Sequence, residues 1–199
     1  MDAERLLIER TRAGDPEAFA GLVKAYQRPV YNLAYRMLGT AAEAEEAAQE
    51  TFLRVYQRLH TYDAECKFSS WVLSIASHYC IDRLRRRRIA WLPLDGQPAV
   101  DAAETVLETP EPGLLERERQ EEIQTLLARL PEGYRLVLVL RYWQDLSYEE
   151  IGQMLGCSES AVKSRLHRAR EMLAGHLARR QAEQVKTRMG RRIAGHAVP

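Results

Sequence analysis

Cysteine is scarce: Cys66, Cys80 and Cys157 lie far apart and form no C-x-x-C pair. That spacing excludes a disulfide framework and a thiolate zinc site, and it fits a reducing compartment. The five histidines, His60, His78, His167, His176 and His196, stand at no metal-ligand spacing. Glycine-rich phosphate loops and nucleophile motifs are missing too, so neither an enzyme nor a bound cofactor is expected. No run approaches the roughly 18 apolar residues of a membrane span, and residues 1–19 hold no apolar core of signal-peptide length. The expectation is a cytoplasmic protein with no membrane insertion. An excess of one charge is also lacking: 29 Lys plus Arg face 28 Asp plus Glu, so overall charge by itself indicates no polyanionic partner.

What the sequence does have is segregated charge. Arginines gather in "DRLRRRR" (Asp82 to Arg88) and in a tail from Arg179 to Arg192, whereas Pro93 to Pro112 holds acidic residues and no basic one. Helical signals surround that acidic stretch. Asp15 followed by Pro16 and Glu17 is a helix start, after which Phe19, Leu22, Val23 and Tyr26 recur at helical spacing. Thr40 and Glu43 form a capping-box pattern ahead of an Ala44, Ala48, Phe52, Val55, Leu59 stripe. Beyond the turn-like "HTYDAECKF", Trp71, Ile75 and Ile81 to Leu84 predict a third helix that ends in the arginine run. Residues 91–113 combine proline with acidic and small residues and no sustained period, the pattern of a linker. From Leu114 onward helical periodicity returns, broken at "PEG". Strand alternation is missing throughout. The expected fold is all-α: two small helical domains, 1–90 and 114–178, joined by an acidic flexible linker, with a basic tail over 179–199.

The second half contains a helix-turn-helix. Ser147 and Glu150 make another capping box, Ile151 and Leu155 give an apolar face, and Gly156 stands where a left-handed residue would close the helix. With Ser158 as the next cap, Val162, Leu166, Ala169 and Leu173 share one stripe. At about 100° per residue this leaves Ser160, Ser164, His167 and Glu171 opposite, flanked by Lys163 and Arg168. Small polar residues between cations suit a major groove, where serine serves either base and Lys or Arg reads guanine.

Taken together, "LARLPEGYRLVLVLRYWQDLSYEEIGQMLGCSESAVKSRLHRARE" resembles the fourth region of bacterial sigma factors of the extracytoplasmic-function (ECF) type, and the first half resembles their second region. "AEEAAQETFLRVY" is similar to the family's core-polymerase-binding segment, and "FSSWVLSIASHYCIDRLRR" to its promoter-melting and minus-ten-reading segment. The likeness covers roughly residues 15 to 177. It implies a non-catalytic initiation factor that joins core RNA polymerase through its β′ and β subunits, reads two promoter elements in DNA and captures a melted base, under control of an anti-sigma factor. Carried onto this chain, the resemblance assigns polymerase binding to Glu46, Gln49, Glu50, Leu53, Arg54 and Gln57. Minus-ten reading and melting fall to Tyr62, Lys67, Phe68, His78, Asp82, Arg83, Arg85 and Arg86. The minus-thirty-five element falls to Ser160, Lys163, Ser164, Arg165, His167 and Arg168. By the same likeness the acidic linker threads the RNA-exit path. Where the family often has R-I-A-x-N this chain reads "SIASH", with Ser74 for arginine and His78 for asparagine.

Overall fold

Several helices begin or end at local caps. The computed structural model describes the backbone of residues 3–90 and 114–194, and side chains over 3–88 and 118–180. A first helix, α1 (Ala3–Arg12), was not signalled by the sequence; it buries only Ile8 and Thr11. Asp15 then caps α2 (Pro16–Leu38) by accepting hydrogen bonds from the amides of Glu17 and Ala18, and Gly39, left-handed at φ 100°, closes it. Thr40 caps α3 (Ala41–Arg58) through the Glu43 amide. The Glu43 carboxylate returns to the Thr40 hydroxyl at 3.0 Å. The stripe that α3 buries is Ala44, Ala47, Thr51, Phe52 and Val55, while Leu59 lies in the 3₁₀ turn that follows. After the loop, α4 (Phe68–Ala90) runs through the whole arginine run rather than ending in it.

The second half gives α5 (Leu114–Ala128), α6 (Glu132–Tyr142), α7 (Tyr148–Leu155) and α8 (Glu159–Ala194). No strand occurs among the described residues. Both arms of the Ser147–Glu150 capping box form, and Gly156 takes the left-handed conformation at φ 62°. Gly152 is needed for another reason: a Cβ there would stand 2.7 Å from the Cys157 carbonyl oxygen, so only glycine lets the turn fold this close to α7. The expected basic tail is not a separate element, because α8 continues through it as far as Ala194. The linker predicted over 91–113 and the last five residues lie outside the described residues.

Helices α1 to α4 pack around Leu22, Val30, Leu33, Met37, Phe52, Val55, Phe68 and Val72. Helices α5 to α8 pack around Leu127, Val137, Leu140, Ile151, Val162 and Leu166. The two sets join one contiguous apolar cluster, because α5 and α6 lie on α2 and α6 and α7 lie on α4. Patterning within each half gave no sign of this contact.

Candidate polymerase and promoter interfaces

One face of α3 is committed to the core, and the other is left open. Leu53 is 52% exposed and Tyr56 beside it 50% exposed, with the Tyr56 ring 4.9 Å from that of Phe19. Glu46, Gln49 and Gln57 share this surface and are exposed, while Glu50 and Arg54 are half-buried. Spacing of three and four residues from Glu46 through Gln49 and Leu53 to Gln57 puts them on one side of the helix. An apolar pair is thus left open beside Glu46 and Glu50. Sequence reasoning missed Tyr56, although it lies three residues after Leu53 and on the same face.

The acids on this surface are not free. Arg54 pairs with Glu50 at 2.8 Å and lies over the Tyr79 ring. Glu46 receives a two-pronged bond from Arg83, at 2.5 and 2.7 Å. Arg87 bonds Glu43. Hydrogen bonding to Glu46 holds the Arg83 guanidinium above its ordinary pKa. Arg83, expected to hold the DNA backbone, is therefore engaged with α3: the first acids of α3 and the arginines of α4 neutralise each other across the helix pair. Arg85 and Arg88 instead reach towards Glu132 at 3.9 Å, and Arg85, Arg86, Asp82 and His78 are exposed. The His78 ring Nδ1 is 2.6 Å from the Ser74 carbonyl oxygen, so the two departures from the family pattern contact each other.

Around the loop before α4, the structure corrects one expectation. Phe68 is 1% exposed, enclosed by the rings of Tyr26, Tyr62 and Trp71 at 5.1 to 5.7 Å. An aromatic side chain at the first turn of a helix, facing three other rings, gains more from burial than from waiting in water for a base. Phe68 is a core residue here, with no face open for stacking. Tyr62 is half-buried over the same cluster; its hydroxyl donates to the Cys66 carbonyl at 2.7 Å, and Arg12 bonds its own carbonyl and lies over its ring. Lys67 is 74% exposed at the side chain, yet its Nζ lies 2.6 Å from Glu150. The Lys67 bond and the Ser147 amide together pull the Glu150 carboxyl down to about 2. No sequence signal connects residues 83 positions apart in this way.

The face of α8 opposite its buried stripe is laid out as the helical spacing predicts. Val162, Leu166 and Ala169 are buried, Leu173 is half-buried, and Ser160, Lys163, Ser164, Arg165, His167, Arg168 and Glu171 are exposed. The Ser158 hydroxyl accepts from the Ala161 amide at 3.3 Å, capping the helix as expected. Lys163 is steadied by Glu159 at 3.3 Å and by the Tyr148 ring, His167 lies 3.4 Å from Glu171, and Arg165 leans towards the Cys157 sulfur. Among the described residues no group of His, Cys, Asp and Glu could hold a metal, and no helix is long and apolar enough to cross a membrane.

Comparison with known proteins places both halves. A model of Sigma-70 region 2 matches residues 22–89, and a model of Sigma-70 region 4 matches residues 120–173. The ECF RNA polymerase sigma factor SigW of Bacillus subtilis is 38% identical over 177 residues, covering 85% of this chain and 94% of that protein. Among solved structures, CnrH in complex with the cytosolic domain of CnrY superposes with a TM-score of 0.65 at 26% identity, over 89% of this chain and 98% of that one. The sigma factor RpoE of Bartonella quintana, in complex with the anti-sigma factor NepR, gives a TM-score of 0.65 over 80% of this chain and 96% of that one. At 19% identity it shows likeness of fold alone.

Proposed function

The chain belongs to the ECF sigma factors of bacterial RNA polymerase, and from that premise we propose how its surfaces divide the work of initiation. It is an initiation factor that binds core polymerase, directs it to promoters through the minus-thirty-five and minus-ten elements, and promotes melting of the DNA. The observation that carries this reading is the pairing of two interfaces in one chain: the exposed Leu53–Tyr56 strip with its acids on α3, and the basic reading face of α8.

In this division the α3 strip, with Glu46, Gln49, Glu50, Leu53, Arg54 and Gln57, docks on the β′ subunit. Ser160, Lys163, Ser164, Arg165, His167 and Arg168 read the minus-thirty-five element from the major groove, with serine and lysine at base edges and Arg168 on phosphate. Tyr62, Lys67, His78, Asp82, Arg85 and Arg86 face the minus-ten element, the arginines acting on the backbone and the Tyr62 ring offering a surface for an unpaired base. The domains divide at 91–113. The protein acts in the cytoplasm without catalytic residues of its own, and an anti-sigma factor restrains it, binding it as the cytosolic domain of CnrY binds CnrH.

The experiment is co-purification of the full chain with core polymerase from a bacterium, followed by electrophoretic retention of a promoter fragment. Retention that needs both polymerase and this chain supports the reading. Retention by the chain alone at the same strength would make it an ordinary helix-turn-helix regulator.

A further inference from the structure

Helix α1 has no part in the division of work above, yet its last residue reaches the loop before α4. The helix is seated on α2: Ile8 and Thr11 are buried, Arg10 pairs with Asp15 at 2.6 Å, and the Tyr26 hydroxyl bonds Glu4. From that seat Arg12 extends to the 3₁₀ turn Leu59–Thr61 that follows α3. Its Nε donates to the Leu59 carbonyl at 3.2 Å and its Nη2 to the Tyr62 carbonyl at 2.5 Å, 47 and 50 residues along the chain. The guanidinium also stands over the Tyr62 ring, 5.8 Å from its centroid, near the outer reach of a cation–π contact.

The turn needs such a donor. A 3₁₀ turn closes with poor hydrogen-bond geometry and leaves its last carbonyls without partners inside it. Backbone dipoles favour a cation at that end as well. The planar fork of arginine can bond two carbonyls at once while lying against a ring, whereas lysine offers a point charge.

The loop beyond the turn is tied to itself. The Tyr62 hydroxyl donates to the Cys66 carbonyl at 2.7 Å, the Cys66 amide to the Asp63 carbonyl at 3.2 Å, and the Glu65 amide to the Asp63 carboxylate at 3.0 Å. Those bonds give the loop a shape but do not set the Tyr62 ring on the helices behind it. That is done by the neighbouring rings, Phe68 at 5.1 Å and Trp71 at 5.3 Å, and by Arg12 at the Tyr62 carbonyl. Tyr62 is thereby held at its backbone from α1 and at its ring from α4.

We propose that Arg12 is a positioning residue for capture of the melted base: from α1 it fixes the turn over 59–62, so that the Tyr62 ring is already set when an unpaired nontemplate base arrives. A platform set beforehand does not have to be ordered on binding, and the base keeps more of the stacking gain. The proposal rests on Tyr62 being the stacking residue, and the test separates the two.

The full chain is assembled with core polymerase and titrated, by fluorescence anisotropy, with a promoter fragment whose minus-ten element is unpaired. A matching set of fragments carries an abasic site at each unpaired nontemplate position in turn. With the wild-type chain one abasic position should weaken binding about tenfold, the loss of one stacked base. Tyr62→Ala should abolish that penalty. Arg12→Met, which keeps the stem and loses every donor, should reduce it to about twofold and leave the other positions unchanged. Arg12→Lys should behave like Arg12→Met, because charge without the fork does not hold the turn. The penalty is a ratio between fragments bound by one protein, so any partial unfolding of a variant cancels from it. A penalty still near tenfold in Arg12→Met overturns the proposal. Full recovery in Arg12→Lys, or an equal loss on every fragment with a salt slope lower by about one, makes Arg12 a phosphate contact and overturns it too. If the wild-type chain shows no penalty at any position, or Tyr62→Ala keeps it, Tyr62 is not the stacking residue; that failure is visible without any change at Arg12, and the proposal falls with it.

Discussion

Replacing Leu53 by aspartate should separate polymerase binding from folding. The side chain is 52% exposed, so about 80 Å² of apolar surface is free to be covered by a partner, worth about 2 kcal/mol at about 25 cal/mol per Å². Losing it weakens binding about thirtyfold, and a carboxylate buried in its place adds a desolvation cost, giving an expected loss of about a hundredfold or more. Folding should hardly notice. Leu53 faces water, so the change costs only helix propensity, about 0.5 kcal/mol, and a fall in Tm of about 1 to 2 °C for a chain of this size. The assay is fluorescence anisotropy of the labelled chain titrated with core polymerase, beside thermal unfolding by circular dichroism. Binding within threefold of wild type would refute the docking face on α3. Unfolding of the variant would mean that Leu53 belongs to the core.

Other consequences can be checked independently. Ser164→Ala and Lys163→Ala should each cost about 1 to 3 kcal/mol at one position of the minus-thirty-five element and relax specificity there, whereas Arg168→Ala should weaken all promoters alike and reduce the salt slope by about one; a promoter-library assay in which all three keep the wild-type preference rejects α8 as reader. Phe68→Ala should destabilise the fold by about 3 to 5 kcal/mol, since its ring is enclosed by three others; a variant that melts normally and fails only in open-complex formation would return Phe68 to the promoter. Gly152→Ala forces a methyl against the Cys157 carbonyl and should cost about 1 to 3 kcal/mol, lowering minus-thirty-five binding while polymerase binding through α3 persists; equal loss of both would contradict it. Glu150 has its folded pKa depressed, chiefly by Lys67, so its contribution is complete above about 4.5 and is lost as pH falls towards about 2. A carboxyl NMR titration should show that low midpoint and its rise in Lys67→Ala; an ordinary midpoint in the wild-type chain would dissolve the pair.

Much of the fold could be read from local chemistry because caps act within a few residues. Asp15, Thr40, Ser147 and Gly156 each do what their position announced, and the α8 stripe follows from spacing alone. What could not be read depends on groups brought together from far along the chain. The exposure of Tyr56 needs Phe19 beside it, the burial of Phe68 needs the Tyr26 and Tyr62 rings from two other segments beside Trp71 of its own helix, and Arg83 is neutralised by acids that the sequence assigned to a different task. Arg135 and Gln124 carried no signal at all: each looks like a solvent-facing polar residue until the end of α2 arrives to be capped. The extent of α4 and α8 was also underestimated, since arginine-rich stretches are good helix formers and simply continue.

The account is tested most directly by transcription with purified components. Core RNA polymerase, this chain and a library of promoters randomised at the minus-thirty-five and minus-ten elements should yield transcripts only when the chain is present, with a base preference at both elements, and Leu53→Asp should abolish them while leaving the chain folded. Transcripts of equal yield without the chain, or a preference unmoved by any substitution in α4 or α8, would contradict it.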